Sequence, residues 1–364
     1  MKQIRVIHVD AEMGWRGGQQ QAINLHEGLC KAGIYSVFVC RKGSALRQRL
    51  ESADLPHKGF AYLGEIDIIA AMRLARYASD NGISIIHAHS SHALSWALGA
   101  KLFYPSLKVV AARRVDFSIR KNLLSRRKYI SSRLDSIVAI SRNIYDVLVA
   151  DGIPRDKVHL IHSGVDLQRF AESETAENFR SIWGIPEDSL IVGTVAAFVG
   201  HKDYPNFIHA AALARKKNPS LHFIAVGSGP KLDEMKQLSR DLQLSPGITF
   251  TGDKEDLGSV LKACDIFVLA SKKEGLGTSV LDAMGLGLPV IGTKAGGIPE
   301  MIDDLESGML VKKSDPAALS DAILRLAEDP DLREKLGKAA RERVKLFSKE
   351  EMILKNIELY RKLL

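Results

Sequence analysis

Short runs of β-branched and apolar residues alternate along this chain with longer stretches whose apolar positions recur at helical spacing. The first half offers the strand candidates "IRVIHV", "YSVFVC", "ISIIHA", "KVVAA", "SIVAI" and "VHLI". The second offers "SLIVGTVA", "LHFIAVG", "GITFTG", "CDIFVLA", "LPVIG" and "GMLV". Nearly continuous apolar strands separated by helices predict parallel sheets covered on both faces, an α/β fold. The rhythm breaks over 167–189, "LQRFAESETAENFRSIWGIPEDS", a polar stretch before a new strand series. The domain boundary is expected there. Open α/β sheets take ligands at the carboxyl ends of their strands, so the site is expected in a cleft between two domains.

Composition narrows the class. With 364 residues, 46% hydrophobic and 26% charged, the chain has the balance of a soluble globular protein with two cores. Cys30, Cys40 and Cys264 are odd in number and lack C-x-x-C spacing, which points to reduced thiols in a cytosol rather than disulfides or zinc. The opening "MKQIRVIHVD" reads as a strand, not a signal peptide. The most apolar region, "ALSWALGAKLFYPSLKVVAA", is broken by Lys101, Pro105 and Lys108 before it could span a bilayer. The net charge of +8 is uneven: residues 1–168 hold 24 Lys/Arg against 14 Asp/Glu, and the remainder is slightly acidic. A basic half and a near-neutral half suggest different partners.

The chemistry concentrates in "KEGLGTSVLDAMG", Lys273 to Gly285. "CDIFVLA" before it reads as a buried strand, and "TSVLDAMGLG" as a short helix. Glu274 therefore falls at a strand's carboxyl end, just ahead of a helix N-terminus, where free amides and the helix dipole attract phosphate. Gly275 and Gly277 let a ligand approach the backbone. Asp282 follows about one helical turn into the helix, within reach of the same ligand. The plain alternative makes Glu274 a helix-start charge and Asp282 part of a solvated face.

The longer run "KEGLGTSVLDAMGLGLPVIGTKAGGIPEMI" resembles the signature of the family 4 glycosyltransferases of the GT-B fold. Their mark is two acids separated by seven residues, then "A-M", then "P-V-I-x-T-x-x-G-G-x-P-E". The likeness continues through the N-terminal glycine loop, "IIHAHS", "IVAISRNI", "HSGVD", "GHKDYPNFIHAAA", "IAVGSGP", "FTGDKEDL" and the closing "FSKEEMILKNIELYRKLL". It implies two Rossmann-like, doubly wound domains facing across a cleft. The acceptor-side domain would be residues 1–168 and the nucleotide-sugar domain 169–347. A helix over 348–364 would cross back to the first domain.

The resemblance also implies roles. Glu274 would contact the transferred sugar as the catalytic carboxylate, and Asp282, where the family usually has Glu, would hold the nucleotide ribose. The amides of Gly275, Leu276, Gly277 and Thr278 would face the diphosphate or donor sugar. Lys202 would sit on the diphosphate, although the Arg usual five residues earlier is Ala197 here. Departure of a nucleoside diphosphate builds negative charge, so Lys202, helix N-termini and His201 would have to supply the compensation. Gly17 and Gly18, in "DAEMGWRGGQQQAINL", would sit near donor phosphate and acceptor; that loop lacks dinucleotide-fold spacing, and a plain tight turn is its alternative. In "IIHAHSSHAL" the second His, His89, would be a catalytic residue at the donor sugar and phosphate, with His87 structural. No carboxylate or cysteine joins the histidines, and no metal or cofactor is expected.

These residues imply an enzyme that moves a sugar from a nucleotide-sugar donor to an acceptor, with retention. A nucleotide-sugar 2-epimerase or a non-catalytic nucleotide-sugar binder are the alternatives. The stretch "RRVDFSIRKNLLSRRKYISSRLD" adds a basic surface. Arg113, Arg114, Arg126, Arg127 and Lys128 are expected to face an anionic acceptor or membrane, with Leu123, Ile130 and Leu134 as the apolar stripe that packs the helix. No nucleic-acid module accompanies that charge. A lipid-linked or lipopolysaccharide glycan acceptor on the inner face of the cell membrane fits it.

Overall fold

The apolar runs fold as two separate, wholly parallel sheets. The computed structural model describes residues 3–364 except 16, 62, 63, 65, 66, 174, 175 and 255. One compact unit comprises residues 1–164 and 349–364, the other residues 165–348. The chain thus enters the second unit four residues before the expected boundary, because Val165 already bridges to Ser348 and donates to the Phe347 carbonyl.

In the first unit the strands are β1 (Arg5–Asp10), β2 (Tyr35–Arg41), β3 (His57–Phe60), β4 (Ile85–Ala88), β5 (Lys108–Arg113), β6 (Ser136–Ala139) and β7 (Val158–Leu160). They lie in the order β3-β2-β1-β4-β5-β6-β7. The order reverses between β1 and β4, where His8 sits beside His87 in register. The loops after these two strands flank the switch point, the usual place for a ligand in such a sheet. The final helix, Lys349–Leu363, packs Met352, Ile357 and Tyr360 into the core formed by Val6, Leu25 and Ile85. Gly28 permits this. A Cβ there would stand 2.1 Å from Ile353 Cδ1, so the helix Gly17–Lys31 and the final helix approach as closely as glycine allows.

The second unit repeats the plan with β8 (Leu190–Val195), β9 (Leu221–Val226), β10 (Ile248–Gly252), β11 (Ile266–Leu269), β12 (Val290–Thr293) and β13 (Met309–Val311). The order is β10-β9-β8-β11-β12-β13, with the reversal between β8 and β11. Phe223, Ile266, Val268 and Ile291 are sealed in the core beneath the helix Tyr204–Lys217. Strands buried on both faces explain the unbroken apolar runs. Among the described residues, no helix is long and apolar enough to cross a membrane.

Candidate active site

The switch point of the second unit assembles the first group of residues. Lys202 belongs to the turn after β8, and Glu274 to the turn after β11, the two strands that flank the reversal. Their side chains meet in an ion pair, Lys202 Nζ on Glu274 Oε2, with little of either exposed. Ser271 Oγ donates to the same oxygen at 3.2 Å. The two turns are also tied together through Lys272. Lys272 N donates to the His201 carbonyl at 2.8 Å, and Lys272 Nζ pairs with Asp203 at 2.9 Å.

Two glycines of the neighbouring loop explain the "AGGIPE" run. Gly297 N donates to the Glu274 carbonyl at 3.1 Å. Gly296 has φ +54°, and a Cβ there would stand 1.8 Å from that same carbonyl oxygen. The loop holding Glu274 is therefore clamped from behind by backbone alone. Gly277, with φ +95°, turns the chain into the helix Thr278–Gly285, whose amino end has no side-chain cap. Val280 N closes the first turn on the Gly277 carbonyl at 2.9 Å, and the amides before it face a ligand or water. Leu276 is buried, so only its backbone could meet a ligand. Asp282, on that helix, accepts from Arg169 Nη1 at 3.4 Å. Burial lifts its carboxyl to about 6, and Arg169 opposes the shift.

A second group forms in the first unit, after β1 and β4. His89 is buried, and both its ring nitrogens have protein partners: Nε2 lies 2.8 Å from His8 Nδ1, and Nδ1 lies 3.5 Å from Arg114 Nη2. A guanidinium can only donate, so His89 carries its proton on Nε2 and gives it to His8 Nδ1. His8 then holds its own proton on Nε2, which is buried and unpartnered. His87 Nδ1 lies 2.6 Å from Tyr360 Oη. Burial holds all three histidines neutral, His87 down to about 3. One nitrogen of each lies within 4.8 Å of the others, a spacing that invites a metal reading. The rings, however, stack face to face, His87 on His89 with centroids 4.4 Å apart, and the Arg114 cation adjoins His89.

Gly17 and Gly18 open the helix Gly17–Lys31. Gly18 passes close to Arg114: a Cβ there would stand 3.1 Å from Arg114 Cδ. Asp10, at the carboxyl end of β1, accepts from Glu12 N at 2.8 Å and Gln19 Nε2 at 3.3 Å, and burial raises it to about 6.

A model described as glycosyltransferase family 4 matches residues 15–169, and one described as glycosyl transferases group 1 matches residues 175–343. The chain belongs to the family 4 glycosyltransferases. N-acetyl-alpha-D-glucosaminyl L-malate synthase of Bacillus anthracis is 25% identical over 299 residues, covering 80% of this chain and 78% of that protein. Putative glycosyltransferase EpsF of Bacillus subtilis is 26% identical over 302 residues, 79% of each. The fold matches that of a glycosyltransferase from Rickettsia africae with TM-score 0.88 at 22% identity, over 100% of this chain and 99% of that one. Anabaena HepE, solved in complex with UDP, gives 0.87 at 19% identity, over 99% and 100%. The fold is GT-B, and the chain is a glycosyltransferase.

The basic segment of this glycosyltransferase departs from expectation. Arg113 is not a surface cation: it is buried, donating to the Phe117 carbonyl at 2.6 Å and lying over the Tyr129 ring. Arg114 also turns inward, toward His89 and Ser163. Lys128 is tethered to Ser91 Oγ and its carbonyl. Arg126 and Arg127 do stand exposed. The apolar stripe is corrected as well. The helix covers only Leu123–Tyr129 and is anchored by Tyr129, while Leu123 and Ile130 are 74% and 51% exposed and Leu134 is buried beyond its end.

Four contributors escaped the sequence reading: Arg169, Ser271, Asp10 and Tyr360. Arg169 lay in the polar stretch assigned to the domain boundary. Asp10 ends β1 and Ser271 lies just past β11, both strands that flank a switch point, a positional signal that could have found them.

Proposed function

We propose that this glycosyltransferase takes a nucleotide-sugar donor, a UDP-sugar first among candidates, and transfers the sugar with retention. The observation that carries the reading is the Lys202–Glu274 pair ahead of the uncapped helix Thr278–Gly285, with Asp282 behind it. Lys202 and the helix amides would take the diphosphate and Asp282 the ribose hydroxyls. Glu274 would leave Lys202 to face the transferred sugar, supporting the oxocarbenium-like transition state. With Ala197 in place of an arginine, Lys202 carries more of the developing phosphate charge. UDP fits because HepE was solved with UDP and with UDP-glucose. No resident metal or cofactor enters this scheme.

The acceptor side is the first unit. Exposed Leu123, Leu124 and Ile130 beside Arg126 and Arg127 suit an anionic membrane surface, and hence a lipid-linked or lipopolysaccharide glycan. A lipopolysaccharide galactosyltransferase shares the fold. Incubation with UDP-, GDP- and ADP-sugars, with and without lipid-linked glycan, tests the whole reading. Donor consumed into a glycosylated product supports it; a donor sugar only epimerised, or no consumption of any donor, overturns it.

A further inference from the structure

The guanidinium of Arg114 is under-partnered for its depth. Its Nε is buried with no hydrogen-bond partner, although the side chain keeps a partly open edge. Its remaining contacts are long: Nη1 reaches Ser163 Oγ at 3.4 Å and Nη2 reaches His89 Nδ1 at 3.5 Å. Neither partner is charged, since His89 is neutral. The nearby carboxylate, Asp10, attracts the guanidinium through space but accepts its hydrogen bonds from Gln19 and Glu12 N. Burial lowers the guanidinium only to about 10, so it remains a cation at neutral pH. A charge withdrawn from water without a bonded counter-ion is unfavourable, and proteins retain one where a partner completes it.

The stem of Arg114 runs close along the start of the helix Gly17–Lys31. Gly18 carries no side chain where Arg114 passes, and any Cβ would press on Arg114 Cδ. Arg114 directly follows β5, beside β4 and on the side of the sheet where its order reverses, so the head group sits where this sheet presents ligands. A planar fork with five donors matches a phosphoryl or carboxylate group better than a neutral hydroxyl.

We infer that Arg114 anchors an oxyanion, phosphoryl or carboxylate, carried by the acceptor. This rests on the glycosyl-transfer reading for the word acceptor, but the anion site can be tested without turnover. Inorganic phosphate is titrated by calorimetry into the full-length chain, its Arg114→Gln variant and its Lys202→Ala variant. Binding to wild type and to Lys202→Ala, weakened at least about tenfold in Arg114→Gln, supports the site. No binding to wild type, or equal binding in Arg114→Gln, overturns it. The source of the anion is read from UDP: unchanged UDP affinity in Arg114→Gln assigns the oxyanion to the acceptor. A loss of UDP affinity as large as the phosphate loss gives it to the donor and overturns the proposal. Arg114→Lys, which keeps the charge but not the fork, serves if the Gln variant fails to melt cooperatively. It should bind phosphate several-fold more weakly than wild type, and equal binding would refute the fork. A chain that binds phosphate through Arg114 yet consumes no donor sinks the glycosyl-transfer reading instead.

Discussion

Lys202 and Glu274, 72 residues apart, close on each other as an ion pair at the switch point of the second sheet. Each lies on the turn after one of the two strands that part there, so the fold itself brings them together. Glu274→Gln preserves shape and one hydrogen bond while removing the charge. Turnover should fall at least about a hundredfold with the melting transition intact, the scale of losing a major electrostatic group. Near-normal turnover would take Glu274 out of catalysis. Lys202→Ala should weaken nucleoside diphosphate binding by about 1.5–3 kcal/mol, as for a charge-assisted hydrogen bond. Unchanged affinity by calorimetry would hand the phosphate to another group.

The backbone behind Glu274 gives a sharper structural test. Gly296→Ala forces a side chain into φ +54° and into the Glu274 carbonyl oxygen. The loop must move, at a cost of about 1–3 kcal/mol for the strain. We expect a lowered Tm together with a turnover loss of at least about tenfold, because small displacements of a positioning loop are costly. Full activity in a destabilised variant would show that the clamp serves folding only.

How much of this was legible beforehand depends on range. β-branched runs reported the strands because burial on both faces demands apolar side chains at every position. The glycines of "AGGIPE" were visible as letters, but the reason for them, a carbonyl that a Cβ would strike, exists only in three dimensions. Tyr360 was hidden for a similar reason: its partner His87 lies 273 residues away. The basic segment misled because charge was read as exposure. Arg113 instead spends its charge on a loop carbonyl and the Tyr129 ring, both within 16 residues of it. Leu123 and Ile130 were read as packing because they are apolar, yet the short helix leaves both outward.

Asp282 gives a pH-dependent prediction. Its folded pKa, raised to about 6 from 3.8 by burial, means that the folded state holds the proton more tightly. The penalty for ionising it is absent below about pH 4, grows as pH climbs to about 6, and stays constant above. Asp282→Asn should therefore stabilise the protein at pH 7–8, by an amount on the order of 1–3 kcal/mol less the lost Arg169 contact, and not at pH 4. Nucleotide affinity at pH 7–8 should fall in the same variant, since ribose hydroxyls lose an ionised acceptor. Thermal unfolding and calorimetry across this range check both. A variant no more stable at pH 8 than wild type, with unchanged affinity, would leave Asp282 a bystander.

The exposed apolar and basic residues of the segment 123–130 predict behaviour at a membrane. Leu123, Leu124 and Ile130 would enter the headgroup layer while Arg126 and Arg127 meet anionic lipid, each contributing about 1 kcal/mol and screened by salt. Lys128, held by Ser91, is left out of that sum. Wild type should therefore co-sediment with vesicles of phosphatidylglycerol and phosphatidylcholine at low salt and dissociate as salt rises. Arg126→Glu with Arg127→Glu should abolish the salt-sensitive part. Leu123→Ser with Leu124→Ser should weaken binding while leaving its salt dependence, because burial of apolar surface is not screened. These separate responses distinguish an interfacial segment from a merely charged one, which would respond to the arginine change alone. If wild type stays in solution beside anionic vesicles at low salt, the membrane reading fails, and a soluble anionic acceptor takes its place.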